Sequence, residues 1–230
     1  MKKIIIYTTN DKIISLKLVN EIVTNSKYRD YEIDILLTKA KLLRKIKILI
    51  VILFFGSIKD FFYQITQRTS ISQILKNNKK CKIVNEVKEN YDYGLSVYYS
   101  NKIKIQNFKI YNFHLGSLRN QRGSFIFFYK YIKNWNSLFL TFHEITEKFD
   151  VGEVINERKI LLKDNCLSSD IFFIYLKNLD FLNESISKIN SNKRKNYEHF
   201  EKLNVVPSFF QLFKEIFKYF FTYKKNKFLK

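Results

Sequence analysis

The chain has 230 residues, of which 46% are hydrophobic and 17% aromatic. That is enough apolar mass for one sizeable core and too much for a disordered chain. The formal net charge is +20, from 41 basic and 21 acidic residues, but only seven of the basic residues are Arg. No arginine-rich run or aromatic ribonucleoprotein motif is present, which argues against specific nucleic-acid recognition. Lys, Asn, Ile, Phe and Tyr are abundant while Gly, Pro, Met and Trp are scarce, so the charge reflects compositional bias as much as a binding face.

Two cysteines, Cys81 and Cys166, lack metal-ligand spacing. They argue against a disulfide framework or a structural zinc site and fit a reducing, cytoplasmic setting. The opening MKKIIIYTTNDK does not read as a signal peptide, because its apolar stretch is only a few residues long.

In chain order, Lys2 to Thr8 reads as a buried strand. Asn10 or Asp11 is placed to cap a helix carrying Leu16, Val19, Ile22 and Val23 at helical spacing. Glu32 to Leu37 reads as a second strand, and strand, helix, strand is the opening of a parallel α/β sheet. From about residue 40 to 66 the chain begins basic and then runs without charge from Ile48 to Ile58. That run is too short to span a bilayer and predicts an inserted helix, either core-docking or lying at a membrane surface.

Residues 69–90 predict a loop with a weak strand at Cys81–Val84, and Asp92 to Ser100 predicts another strand. Phe108 to His114 is the next strand, on which Asn112 and His114 share one face and Tyr111 and Phe113 the other. In open α/β sheets ligands bind beyond the carboxyl ends of strands, where Asn112 and His114 lie. Residues 124–135 predict an aromatic helix, Ser137 to Ile145 a strand, 146–155 a turn holding Asp150 and Gly152, and Ser168 to Ile189 a helix capped by Ser168 or Ser169. Its apolar stripe is Ile171, Leu176, Leu179, Leu182 and Ile186. His199 lies in a polar, Lys-rich stretch and reads as solvated.

Pro207 is placed to start a final helix with Phe209, Leu212, Phe213, Ile216 and Phe220 on one face and lysines around it. Such a basic amphipathic helix can lie on an anionic membrane; the alternatives are packing on the domain or on a second subunit as a homodimer.

Only five glycines occur in the chain, and two of them fall in YNFHLGSLRNQRG, residues 111–123. Asn112-Phe113-His114, followed by Leu115 to Gly123, resembles the Asn-x-His-Pro-Ser-Leu-Leu-Pro-x-x-Arg-Gly motif of folate-dependent formyltransferases. Thr141-Phe142-His143, with Phe149-Asp150-Val151-Gly152 after it, resembles the second motif of the same family, a Thr-x-His strand and an Asp-Thr-Gly turn. The resemblance covers about residues 92–160. Both motif prolines are absent, with Leu115 and Arg119 in their places, and Val151 replaces the usual Thr.

The resemblance implies a Rossmann-like α/β domain over 1–195, an open and mostly parallel sheet with helices on both faces; residues 196–230 read as a basic, aromatic helical tail beyond it. It implies transfer of a formyl group from 10-formyltetrahydrofolate to a primary amine, without a metal. Asn112, His114 and Asp150 are the expected catalytic residues; Gly116, Arg122, Gly123, His143 and Gly152 are expected to shape the loops or meet substrate.

Among acceptors, methionyl-tRNA formyltransferases carry an added C-terminal domain that this chain has no room for. Glycinamide ribonucleotide formyltransferases use a glycine-rich turn after the first strand, where this chain has Thr8-Thr9-Asn10-Asp11. A nucleotide-linked amino sugar remains by elimination. Hydrolysis of formyl-folate, and a non-catalytic binding or membrane-associated module on the same fold, are the other readings. The expected location is the cytoplasm, with the tail able to touch the inner face of the membrane.

Overall fold

The computed structural model describes residues 2–10, 14–39, 41–55, 71, 78, 80–88, 90–99, 101–163, 166, 170–171, 173–191, 193–198 and 201–228, with side chains to 221. Seven strands form one sheet in the order β3-β2-β1-β4-β5-β6-β7. They are β1 (Lys2–Thr9), β2 (Tyr31–Thr38), β3 (Cys81–Val84), β4 (Tyr93–Val97), β5 (Ile110–Leu115), β6 (Ser137–Glu144) and β7 (Val154–Leu161). Pairings from β3 through β5 are parallel, and β6 is antiparallel to both of its neighbours, so only β6 runs against the rest.

Six α-helical segments accompany the sheet among the described residues: α1 (Ile14–Thr24), α2 (Leu42–Phe55), α3 (Ile126–Ile132), α4 (Ile174–Lys177), α5 (Leu179–Ser187) and α6 (Phe209–Phe228). This is an α/β fold with an open, mostly parallel sheet and a C-terminal helix.

Alternation along β1 divides the core. Ile4 and Ile6 join a large cluster with Leu18 and Ile22 of α1 and Phe181 and Leu182 of α5. Ile5 and Tyr7 point the other way and pack with Tyr91, Ile103 and Ile110. Leu212 and Ile216 of α6 belong to the larger cluster, so the last helix is seated on the domain.

Three elements differ from the sequence pattern. Of the inserted helix expected at 40–66, Leu42–Phe55 is helical, and residues 56–66 lie outside the described ones. The helix expected from Ser168 is α4 and α5, broken at Asn178 with φ −134°. The Asn178 side-chain amide donates to the Ile174 carbonyl oxygen at 2.9 Å, an attachment that competes with the helical ladder. Its capping serines and His199 lie outside the described residues. The third is β7, which pairs with β6 from Ser137 to His143, although residues beyond 155 carried no strand expectation. Its run VINERKIL is interrupted by polar residues because most of its side chains are not buried.

Candidate active site

The parallel register between β4 and β5 sets Ser96 beside Asn112, and the antiparallel register between β5 and β6 sets His143 opposite Asn112. These three side chains therefore meet on one sheet face, and their hydrogen bonds settle which way the amide of Asn112 points. Ser96 Oγ donates to Asn112 Oδ1 at 2.9 Å, and Asn112 Nδ2 lies 3.2 Å from His143 Nε2.

His143 Nδ1 lies 2.9 Å from the Glu144 carbonyl oxygen, which only an N–H can satisfy, so Nδ1 carries the proton. Burial holds the ring neutral by pushing its pKa from 6.5 down to about 4, against the opposing pull of Asp150 and with a further push down from His114. Nε2 is thus bare and accepts from Asn112. One N–H of the Asn112 amide remains for another acceptor.

His114 is buried at the carboxyl end of β5. Its Nε2 lies 3.2 Å from the Gln121 carbonyl oxygen and donates to it, so Nδ1 is the atom turned toward the site. Asp150 follows β6 in a left-handed conformation, φ 50°, which Asp tolerates better than most residues. Its Oδ2 accepts the Gly123 backbone N–H at 2.7 Å. Its Oδ1 faces both imidazoles, at 3.9 Å from His114 Nδ1 and 3.7 Å from His143 Nε2. Those separations exceed a direct hydrogen bond but lie within the range at which charges influence each other.

Two glycines are fixed by space as well as by torsion. Gly116 (φ 137°) follows His114 so closely that a Cβ would collide with the Gln121 carbonyl oxygen and lie 2.8 Å from His114 Nε2. Gly123 (φ 99°) passes against Asn204, with which it forms a bridge. Gly152 gives the same close passage to Glu144.

The structure thus brings Asn112, His114, His143, Asp150 and Gly123 together. Gly116 and Gly152 shape the loops behind them. Arg122 is turned to bracing: its guanidinium donates to the carbonyl oxygens of Phe149 at 2.8 Å and Glu201 at 3.1 Å, tying the Asp150 turn to the 201–206 segment.

The group lines a pocket of about 600 Å³, within the range of small-molecule sites. It opens at the carboxyl ends of β1, β4 and β5, where Thr9, Tyr98 and Leu115 border it. Other walls were not foreseen from the sequence. Arg44 and Lys45 of α2 line it, so the inserted helix forms part of the site. Tyr175 of α4 also lines it, and its hydroxyl accepts the Leu115 backbone N–H at 2.8 Å. The family motif has proline at this position, which carries no N–H; the leucine here uses its N–H to anchor the strand end. Ser96 could have been found only from strand register, which no local pattern encodes.

No protein-family model matches the sequence, and no curated protein matches it either. Solved structures do. WlaRD, a sugar 3N-formyltransferase solved with dTDP and 5-N-formyl-THF, superposes with a TM-score of 0.59 at 20% identity, covering 89% of this chain and 70% of that one. An N-formyltransferase from Helicobacter canadensis, in complex with folinic acid and dTDP-3-aminofucose, gives 0.59 at 18% identity, covering 94% and 79%. The fold is that of the sugar N-formyltransferases. It is shared more widely: HypX from Aquifex aeolicus, solved with tetrahydrofolic acid, gives 0.55 at 12% identity, with 89% of this chain matching 30% of that one. At these identities the likeness is one of fold.

Proposed function

We propose that the chain transfers a formyl group from 10-formyltetrahydrofolate to the primary amine of a nucleotide-linked amino sugar. The observation that carries this reading is the convergence of Asn112, His114 and Asp150 on one wall of a 600 Å³ pocket, in a chain with this fold. The sugar class is supported by the dTDP and dTDP-3-aminofucose bound to the two similar sugar enzymes.

The formyl donor supplies an electrophilic carbonyl carbon on a leaving nitrogen. The acceptor amine forms the new C–N bond, the carbonyl oxygen becomes an oxyanion, and collapse breaks the bond to the folate nitrogen, which takes a proton. The net proton moves from the attacking amine to the leaving amine.

The remaining N–H of Asn112 donates to the oxyanion. Its direction is fixed in advance by Ser96 and His143, so little reorganisation is needed as the charge develops. His114, when protonated at Nδ1, donates a second hydrogen bond and adds positive charge. Asp150 Oδ1 supports that charge and accepts the amine proton, while Gly123 holds its other oxygen in place. Each oxyanion donor in such a site typically contributes roughly 10²–10³ in rate. Among the described residues, no group of three or more His, Cys, Asp or Glu is arranged to hold a metal ion.

The test is spectrophotometric release of tetrahydrofolate from 10-formyltetrahydrofolate, with dTDP-linked amino sugars, with glycinamide ribonucleotide and with no acceptor. Release that requires an amino sugar and is lost in His114→Ala is expected. Release that is equally fast without any acceptor would make the protein a hydrolase. A folded protein that binds no formyl-folate would make it a binding module.

A further inference from the structure

We propose that α2 and α6 form a docking face for an anionic membrane surface, on which the protein lies without spanning it. The two helices run side by side. Lys47 donates to the Pro207 carbonyl oxygen and sits over the Phe209 ring, while Phe54 and Phe55 meet Phe220 at 6.0 and 6.3 Å further along. Each helix has one apolar side in the core, through Val51 and Ile52 of α2 and Leu212 and Ile216 of α6. Each also turns a second apolar stripe outward.

On α6 this stripe is Phe210, Phe213, Phe217 and Phe221, with Phe210 81% and Phe221 72% exposed. These positions recur every three to four residues and so share one side of the helix. On α2 the outward residues are Leu42, Leu43, Ile46, Leu53 and Phe54, with Leu42 71% exposed. Phe54 also meets Phe220, half-buried beside the α6 stripe, so the two stripes adjoin. Isolated exposed apolar residues need no explanation, but a continuous aromatic and aliphatic face does.

Charge decides which partner fits. Lys41, just before α2, and Lys45 on α2 are exposed, as are Lys214 and Lys218 on α6, and Lys224, Lys225 and Lys227 follow in the last turns of α6. Residues 41–55 contain no Asp or Glu, and 209–228 contain one, Glu215, which is half-buried. A second copy packed on this face would press lysines against lysines. A phospholipid surface bearing negative headgroups complements both features, with Phe and Leu entering the interface and Lys reaching the headgroups. No described helix is long and apolar enough to cross a membrane, so both lie in the interface plane. Arg44 and Lys45 of the same α2 border the pocket, so the docked face adjoins the pocket mouth.

The experiment is flotation of the 230-residue chain with vesicles of phosphatidylcholine alone and of phosphatidylcholine mixed with phosphatidylglycerol, paired with sedimentation equilibrium without lipid. Binding to the anionic vesicles only, weakened by salt, is expected. The double variant Lys214→Ala/Lys218→Ala should lower the partition coefficient about 30-fold. Phe210→Ser/Phe217→Ser should abolish binding while the thermal unfolding curve stays in place, since both side chains are exposed. Failure to bind either vesicle, or equal binding to both, overturns the proposal. So does a dimer that the Phe variant dissociates, which would make the face a protein interface. Folate turnover is read separately, so loss of membrane binding and failure of the formyl-transfer reading are distinguishable.

Discussion

Asp34 and Asp150 are both largely withdrawn from solvent, and they are treated in opposite ways. Asp34 on β2 accepts the Tyr91 hydroxyl at 2.6 Å and faces Lys3 at 3.4 Å and Lys82 at 3.6 Å. One hydroxyl and two ammonium groups thus surround it inside the sheet. Asp150 has one oxygen on a backbone N–H and the other before two imidazoles, at the wall of a pocket. A carboxylate enclosed by a hydroxyl and two ammonium groups is a structural device; one facing imidazole nitrogens at the wall of a pocket can take part in moving a proton.

That contrast can be broken most directly by exchanging the charge at each place. Asp150→Asn is expected to lower turnover by at least about 10²-fold with little change in unfolding free energy. Asp34→Asn is expected to keep turnover and to cost about 1–3 kcal/mol in urea unfolding. Loss of turnover without loss of stability in the Asp34 variant would end the distinction.

Gly116→Ala should strike both properties together, because the new methyl group meets the Gln121 carbonyl and crowds the His114 ring. A loss of about 1–3 kcal/mol, accompanied by reduced kcat, is the expected result. Ser96→Ala is a milder probe. It removes the donor that orients Asn112, so kcat should fall by about fivefold, the rate equivalent of one hydrogen bond near 1 kcal/mol, with KM almost unchanged. A change confined to KM would show that Ser96 acts on substrate binding instead.

A further expected effect is one of pH. His143 has a folded pKa of about 4 against 6.5 unfolded, so between those values the unfolded chain binds more protons than the folded one. Stability therefore rises with pH across that window and is lost as pH falls from about 6.5 to about 4. His143→Gln should flatten this part of the stability profile, measured by urea unfolding at several pH values. An unchanged slope would mean that another group carries the titration.

Much of the architecture is legible in the sequence because it rests on local periodicity. The apolar runs of β1 and β5 and the alternation in β6 mark strands without any knowledge of partners. β7 escapes this reading because its side chains are mostly half-buried or exposed, so the alternation that betrays a strand is weak. The break at Asn178 escapes it because an Asn inside a helical pattern signals nothing until its side chain is seen on the Ile174 carbonyl. In the site, the spacing of Asn112 and His114 puts them on one face, and the motif likeness draws attention to Asp150.

The sequence by itself determined an α/β chain with its polar cluster at a strand end, because side-chain alternation and glycine placement are local properties. Only the tertiary structure decided that Ser96 and His143 aim the Asn112 amide, that His143 stays neutral, and that Arg122 braces loops. It also made α2 a pocket wall on one side and an exposed apolar face on the other. These depend on strand register, burial and the meeting of segments far apart in the chain, and none of those has a local signature.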